Sequence, residues 1–151
     1  MSNAGAMRFT YVAPSLQDCE ARLSEYESMR STLGFAPWVV LSQQDSRVIG
    51  WGGLSVDPTE PQWGLEVSYV FGQSYWGNGF ATELVEYSLA HAFTTFSAKE
   101  VNSFVMPENV ASIKVLQKCG FQLLRYESRL KRNHYRMSAP SEAQLTEQHC
   151  G

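Results

Sequence analysis

The stretch Gln73-Ser74-Tyr75-Trp76-Gly77-Asn78-Gly79-Phe80-Ala81-Thr82-Glu83-Leu84 sets two glycines, two residues apart, at the threshold of a helical pattern. Glycine within a helix costs about 1 kcal/mol against alanine, so this pair marks a place where bare backbone is needed. Ahead of it, Leu65, Val67, Tyr69 and Phe71 alternate with Glu66, Ser68 and Val70, the period of a strand with one strongly apolar face. Behind it, Ala81, Leu84, Val85, Leu89, Ala92, Phe93 and Phe96 recur at helical spacing over about five turns. A strand, a glycine turn and a helix make an anion site in physical terms. The first helical turn leaves its N–H groups unpaired at the positive end of the macrodipole, and glycines let a phosphate come close. A Walker A loop requires Lys followed by Ser or Thr after the second glycine, where Phe80-Ala81 stand. A dinucleotide fingerprint requires Gly or Ala where Thr82 stands, and an early place in a parallel βαβ unit. The remaining alternative is a tight turn with no ligand.

Around this centre the pattern is that of one α+β domain. Ser15 caps a helix running to Leu33, with Leu16, Cys19, Leu23, Tyr26 and Met29 or Arg30 at helical spacing and Gly34 as its stop. Residues 38–43 and 47–56 are β-branched runs joined by the polar turn Gln44-Asp45-Ser46, a hairpin. Residues 101–106 form a strand closed by Pro107, and Asn109 caps a short helix to Lys118 that stops at Gly120. Residues 121–128 and 134–137 are the last strands, around the basic turn Lys131-Arg132-Asn133. Ser2-Asn3-Ala4 reads as the scar of an expression tag, which makes Met7 the native start, residues 7–138 the domain and residues 139–151 a polar tail.

Composition narrows the class. With 18% charged residues, a net charge of -3 and scattered Lys and Arg, the chain lacks the basic footprint of a nucleic-acid binder. No apolar run reaches the roughly 18 residues of a membrane span, and no leader pattern opens the chain, which predicts a cytoplasmic protein. Three dispersed cysteines and three dispersed histidines predict neither a disulfide framework nor a metal site.

The span from about Cys19 to Met137 resembles the GNAT superfamily of acetyl-CoA-dependent N-acetyltransferases, in the branch typified by the ribosomal-protein N-acetyltransferases RimJ and RimL. Residues 73–84 look like that branch's pyrophosphate loop. Residues 108–121, with Asn109, Ser112 and the ending Lys118-Cys119-Gly120-Phe121, look like its second signature. Trp76 departs from the wider superfamily, where Gln or Arg is usual, and is tolerated in the RimJ-like branch. The resemblance implies a mixed, mainly antiparallel sheet flanked by helices, with acetyl-CoA as cosubstrate and no metal. It implies a primary amine, on a protein N-terminus or a small molecule, as acceptor by direct attack in a ternary complex. The cofactor contacts it implies are the backbone of Tyr69, Val70 and Phe71, the loop Trp76, Gly77, Asn78, Gly79, Phe80, Ala81 and Thr82, and Asn109 and Ser112.

Free amines are protonated near neutrality, with a pKa of about 10.4 for a lysine and about 7.7 to 8.0 for an α-amine, so a base or a water relay must take a proton. Glu66, on the less apolar strand face, is the candidate; its plain reading is a solvated or salt-bridged strand glutamate. Ser112 could assist the leaving thiolate, or be an ordinary helix residue. Asn109 could be a cap alone. Lys114 and Lys118 read as surface residues, Cys119 as core, and His91 as structural. The competing class is a catalytically silent acyl-CoA-binding or regulatory module that keeps the loop without the base. The likeness also implies a first strand and a helix that the short segment 7–14 does not supply. Residues 8–12 could replace the edge strand but not the helix, which predicts an acceptor cleft open on one side or a sheet edge covered by a second subunit, with Phe9 and Tyr11 buried in that self-association contact.

Overall fold

The computed structural model describes residues 15–141. Residues 8–12, with Phe9 and Tyr11, lie outside them, so the expected edge strand and self-association contact do too. Helix α1 (Leu16–Leu33) starts where expected, its Asp18 N–H donating to Ser15 Oγ at 3.1 Å, and ends at Gly34. Its apolar face is not buried as predicted. Leu16 is 76% and Leu23 62% exposed, Cys19 is exposed, and Met29 alone of the five periodic residues is buried. The helix leans on the sheet through its C-terminal half, where Tyr26 meets Trp51 at 6.1 Å between ring centres and the Val56 N–H points at Met29 Sδ at 3.5 Å.

Six strands follow in the predicted order: β1 (Trp38–Leu41), β2 (Val48–Val56), β3 (Leu65–Phe71), β4 (Glu100–Val105), β5 (Gln122–Glu127) and β6 (Arg132–Ser138). They form one sheet in the order β1-β2-β3-β4-β6-β5, antiparallel throughout except at the parallel β3–β4 contact. Helices α2 (Phe80–Thr94) and α3 (Val110–Lys118) pack on the core side. There Leu54, Val67, Val85, Val101 and Leu116 are exposed by 1% or less, and the β3 alternation puts Val67 and Phe71 inward as read.

The last turn falls earlier than its basic residues suggested. Leu130 N–H donates to Glu127 O and Lys131 N–H to Ser128 O, closing the turn before Arg132, so Arg132 and Asn133 open β6. Ala139, expected to begin a frayed tail, donates its N–H to Lys99 O at 2.8 Å.

One feature of the sheet sets up the site. β2 and β3 pair in register over seven residues, from Gly50↔Phe71 to Val56↔Leu65, whereas β3 and β4 share the single pair Glu66↔Asn102. Side chains take over at the seam. Ser103 Oγ donates to Val67 O at 3.0 Å, and Asn102 Nδ2 donates to Trp63 O and Leu65 O at 3.0 and 3.3 Å. With its amide nitrogen so used, Asn102 Oδ1 accepts, from Arg136 Nε at 3.0 Å and His134 Nε2 at 2.7 Å. The buried His134 therefore carries its proton on Nε2. Satisfying strand carbonyls by side chains lets the two strands part beyond Glu66 without orphaning their polar groups.

Candidate active site

The parting strands open a cavity of about 490 Å³, walled by Ser68 to Phe71 of β3, Ser103 to Val105 of β4, the turn into α2 and the first turns of α3. Gly79 is the N-cap of α2 at φ 80 and Gly77 stands at φ 76, the left-handed region that favours glycine. A Cβ built on either meets no atom within 4 Å, so the loop faces open space. The first intrahelical bond of α2 runs from Glu83 N–H to Gly79 O. That leaves the amides of Phe80, Ala81 and Thr82, all at the cavity wall, without intrahelical partners at the positive end of the helix dipole.

Trp76 and Asn78 hold this loop in different ways. The Trp76 indole N–H donates to Phe71 O at 2.9 Å, tying the loop to the end of β3 while the ring lines the cavity. That bond occupies the Phe71 carbonyl expected to face the cofactor. Asn78 Nδ2 donates to Tyr75 O and Trp76 O at 3.1 and 3.2 Å, and the residue, expected among the cofactor contacts, is exposed and not part of the cavity wall.

On the opposite wall, Asn109 Oδ1 accepts from Ser112 N–H at 3.2 Å, so Asn109 is a helix cap as well as a lining residue. The Tyr69 hydroxyl is buried beside Ser112. It has no partner in hydrogen-bonding geometry, and burial pushes its pKa up to about 12, an effect that Ser112 moderates. A phenol of that kind stays protonated and can donate. Cys119 is part-buried against the core, its Sγ 4.0 Å from Thr82 O, and burial raises its thiol pKa, which disfavours the thiolate. His91 packs among Trp38, Tyr87 and Phe96. Lys114 and Lys118 are exposed and do not line the cavity.

Glu66 stands outside the wall as well, two residues from the lining residue Ser68 on the same strand face. It is half-buried, and burial first, then the charge of Asp57, pushes its pKa up to about 7 against the pull of Arg132. Sequence reasoning thus located eleven of the lining residues: Tyr69, Val70, Phe71, Trp76, Gly77, Gly79, Phe80, Ala81, Thr82, Asn109 and Ser112. It missed the Tyr69 side chain, Ser103 and Arg132. Tyr69 could have been found, as the one hydroxyl on the apolar face of β3; Arg132 could not, since its place depends on where the last turn closes.

The sequence pattern of the acetyltransferase (GNAT) domain matches residues 1–122. The chain belongs to the GNAT acetyltransferase family. A Bacillus licheniformis relative, the uncharacterized N-acetyltransferase p20, is 32% identical over 83 residues, which are 55% of this chain and 46% of the relative. The chain thus spans about half the length of the curated relatives it matches. Solved structures share the GNAT fold. The ribosomal-protein-S5-alanine acetyltransferase of Vibrio fischeri superposes with a TM-score of 0.68 at 18% identity, covering 94% of this chain and 86% of that one. YncA of Salmonella typhimurium, a putative acetyltransferase solved with acetyl-CoA, superposes at 0.71 with 17% identity, covering 93% and 88%. Among the described residues no helix is long and apolar enough to cross a membrane, and no group of three His, Cys, Asp or Glu could hold a metal ion.

Proposed function

We propose that the protein is an acetyl-CoA-dependent N-acetyltransferase acting on a primary amine in a ternary complex. The observation that carries this reading is the juxtaposition, along one cavity, of an anion-binding helix start and a seam of strand edge left open for an extended ligand. The residues fit the cosubstrate. The open space over Gly77 and Gly79 and the amides of Phe80 to Thr82 suit a pyrophosphate, and the seam edge of Tyr69 and Val70 suits an amide-bearing arm. Acetyl-CoA supplies an activated acyl carbon on a good leaving group.

In this reading Glu66 takes one proton from the incoming ammonium, directly or through a water near Ser68. The N–C bond then forms as the C–S bond breaks, and the second nitrogen proton goes to the thiolate. With a thiol pKa of about 8.5 the departing sulfur needs little help, and the Tyr69 and Ser112 hydroxyls stand where such help would come from. Asn109 orders α3 and offers its amide nitrogen to the cosubstrate. The acceptor is a protein N-terminus if the chain shares the chemistry of the RimJ- and RimL-like branch, a membership supported by the two signatures and by the Vibrio fischeri superposition; a small-molecule amine is the other class. A cytoplasmic location agrees with both.

The test is an acceptor screen by mass spectrometry, in which a gain of one acetyl group on a defined amine, with stoichiometric CoA release, is expected. Acetyl-CoA binding without CoA release across peptides, polyamines and amino acids would instead establish the silent acyl-CoA-binding module.

A further inference from the structure

Arg132 is the single charged residue in the wall of the cavity. Other described arginines are engaged: Arg30 with Glu27, Arg47 with Asp45, Arg125 with Glu127, Arg129 with Glu60, and Arg136 with Glu100 and Asn102. The Arg132 side chain, half-buried, has no hydrogen bond or ion pair among the described residues. Glu127, its register partner on β5, is taken by Arg125. The half-buried Glu66 side chain likewise has none, although Arg132 is near enough to act on it electrostatically, as is the half-buried Asp57 from the end of β2. Two opposite charges withdrawn from water gain most by pairing, and leaving each alone is costly. Their separation beyond ion-pair distance, with a cavity alongside, is the arrangement of a site awaiting a molecule that carries both signs.

We infer that the acceptor is a small zwitterionic amine of the α-amino-acid type, its carboxylate taken by Arg132 and its ammonium presented to Glu66. This rests on the acetyltransferase reading and narrows its acceptor. A guanidinium forms a planar fork that matches a carboxylate through two parallel bonds. Hydrogen bonds of about 2.8 Å at either end let such a ligand join two groups that do not touch each other. The anion end is distinct from the phosphate end: Arg132 enters from β6, whereas the phosphate amides belong to the start of α2. A peptide N-terminus, whose nearest carbonyl is an amide, would leave Arg132 unpaired.

The test compares kcat/KM for a panel of L-amino acids with that for the matching amino-acid amides, decarboxylated amines and tripeptides, using CoA thiol release by the full chain. At least one amino acid is expected to exceed its amide by about 10²-fold. Arg132→Gln is expected to bring that ratio close to one, and Arg132→Lys, which keeps the charge without the fork, to retain part of it. Amides or tripeptides used as well as the free acids, or a ratio unmoved by Arg132→Gln in a folded protein, would overturn the assignment. Calorimetry with acetyl-CoA runs in parallel. Acetyl-CoA binding with turnover of amides and peptides alone sinks the zwitterion and leaves the acetyltransferase; absence of acetyl-CoA binding, or binding with no turnover of any amine, sinks both.

Discussion

Glu66 concentrates the residue-scale argument, because its position makes opposite demands on stability and catalysis. A carboxylate whose pKa is near 7 is deprotonated in useful fraction at neutral pH and still basic enough to accept a proton. Wild-type kcat/KM is therefore expected to rise with pH through about 7, and Glu66→Gln to lower turnover at pH 7 by roughly 10²-fold with acetyl-CoA affinity little changed. An unaltered pH–rate profile in the variant would move the role to water or another group. Stability follows the same shift with the opposite sense. The folded pKa lies above the ordinary carboxylate value, so this group's contribution is fully present below about pH 4.5 and is lost as pH rises through about 7. Glu66→Gln, which cannot ionise, is expected to melt higher relative to wild type at pH 8 than at pH 4.5, by an amount on the order of 3 kcal/mol at most. Thermal melts at the two pH values measure it. Asp57 and Arg132, the charges acting on Glu66 from β2's end and from β6, set the size of the effect and not its sign.

At the scale of elements, the turn into α2 answers why two glycines stand where alanine would make a better helix. Both need positive φ, and the space beyond them is empty, so Gly79→Val strains the turn and projects a branched side chain where a phosphate would lie. Loss of acetyl-CoA binding with an unchanged circular dichroism spectrum is the expected outcome; retained affinity in a folded variant would sink the phosphate assignment. This turn, β3 and α3 were legible in the sequence because each depends on contacts between near neighbours: alternation along Leu65 to Phe71, the 3.6 period of α2, the cap at Asn109. The burial of α1 was not legible. Periodicity at Leu16, Cys19 and Leu23 says which residues share a face, not whether another element lies against it. The seam was hidden for a related reason, since nothing along β3 or β4 announces that their pairing ends after one register pair. Asn102 is the device that permits it, and Asn102→Leu would strand His134 Nε2–H and the carbonyls of Trp63 and Leu65. A loss of about 2 to 4 kcal/mol in urea unfolding is expected.

For the whole molecule, the proposed seat of acetyl-CoA at the seam would make the ligand part of the sheet's cohesion. A compound that binds only the folded chain stabilises it by about 2.7 kcal/mol at a hundred times its Kd, so acetyl-CoA is expected to raise the melting temperature in proportion to the logarithm of its concentration. Hydrogen exchange is expected to slow at residues 68–71 and in the first turn of α2; slowing confined to other regions would place the ligand elsewhere. The single pair at Glu66–Asn102 has a mechanical side too. A pleated sheet resists bending along the line of its ladders, and here a single backbone register pair, backed by the Ser103 and Asn102 side chains, joins two three-stranded panels, β1 to β3 and β4 to β6, along a crease. If acetyl-CoA lies along that crease as proposed, it is expected to act as a splint between the two panels.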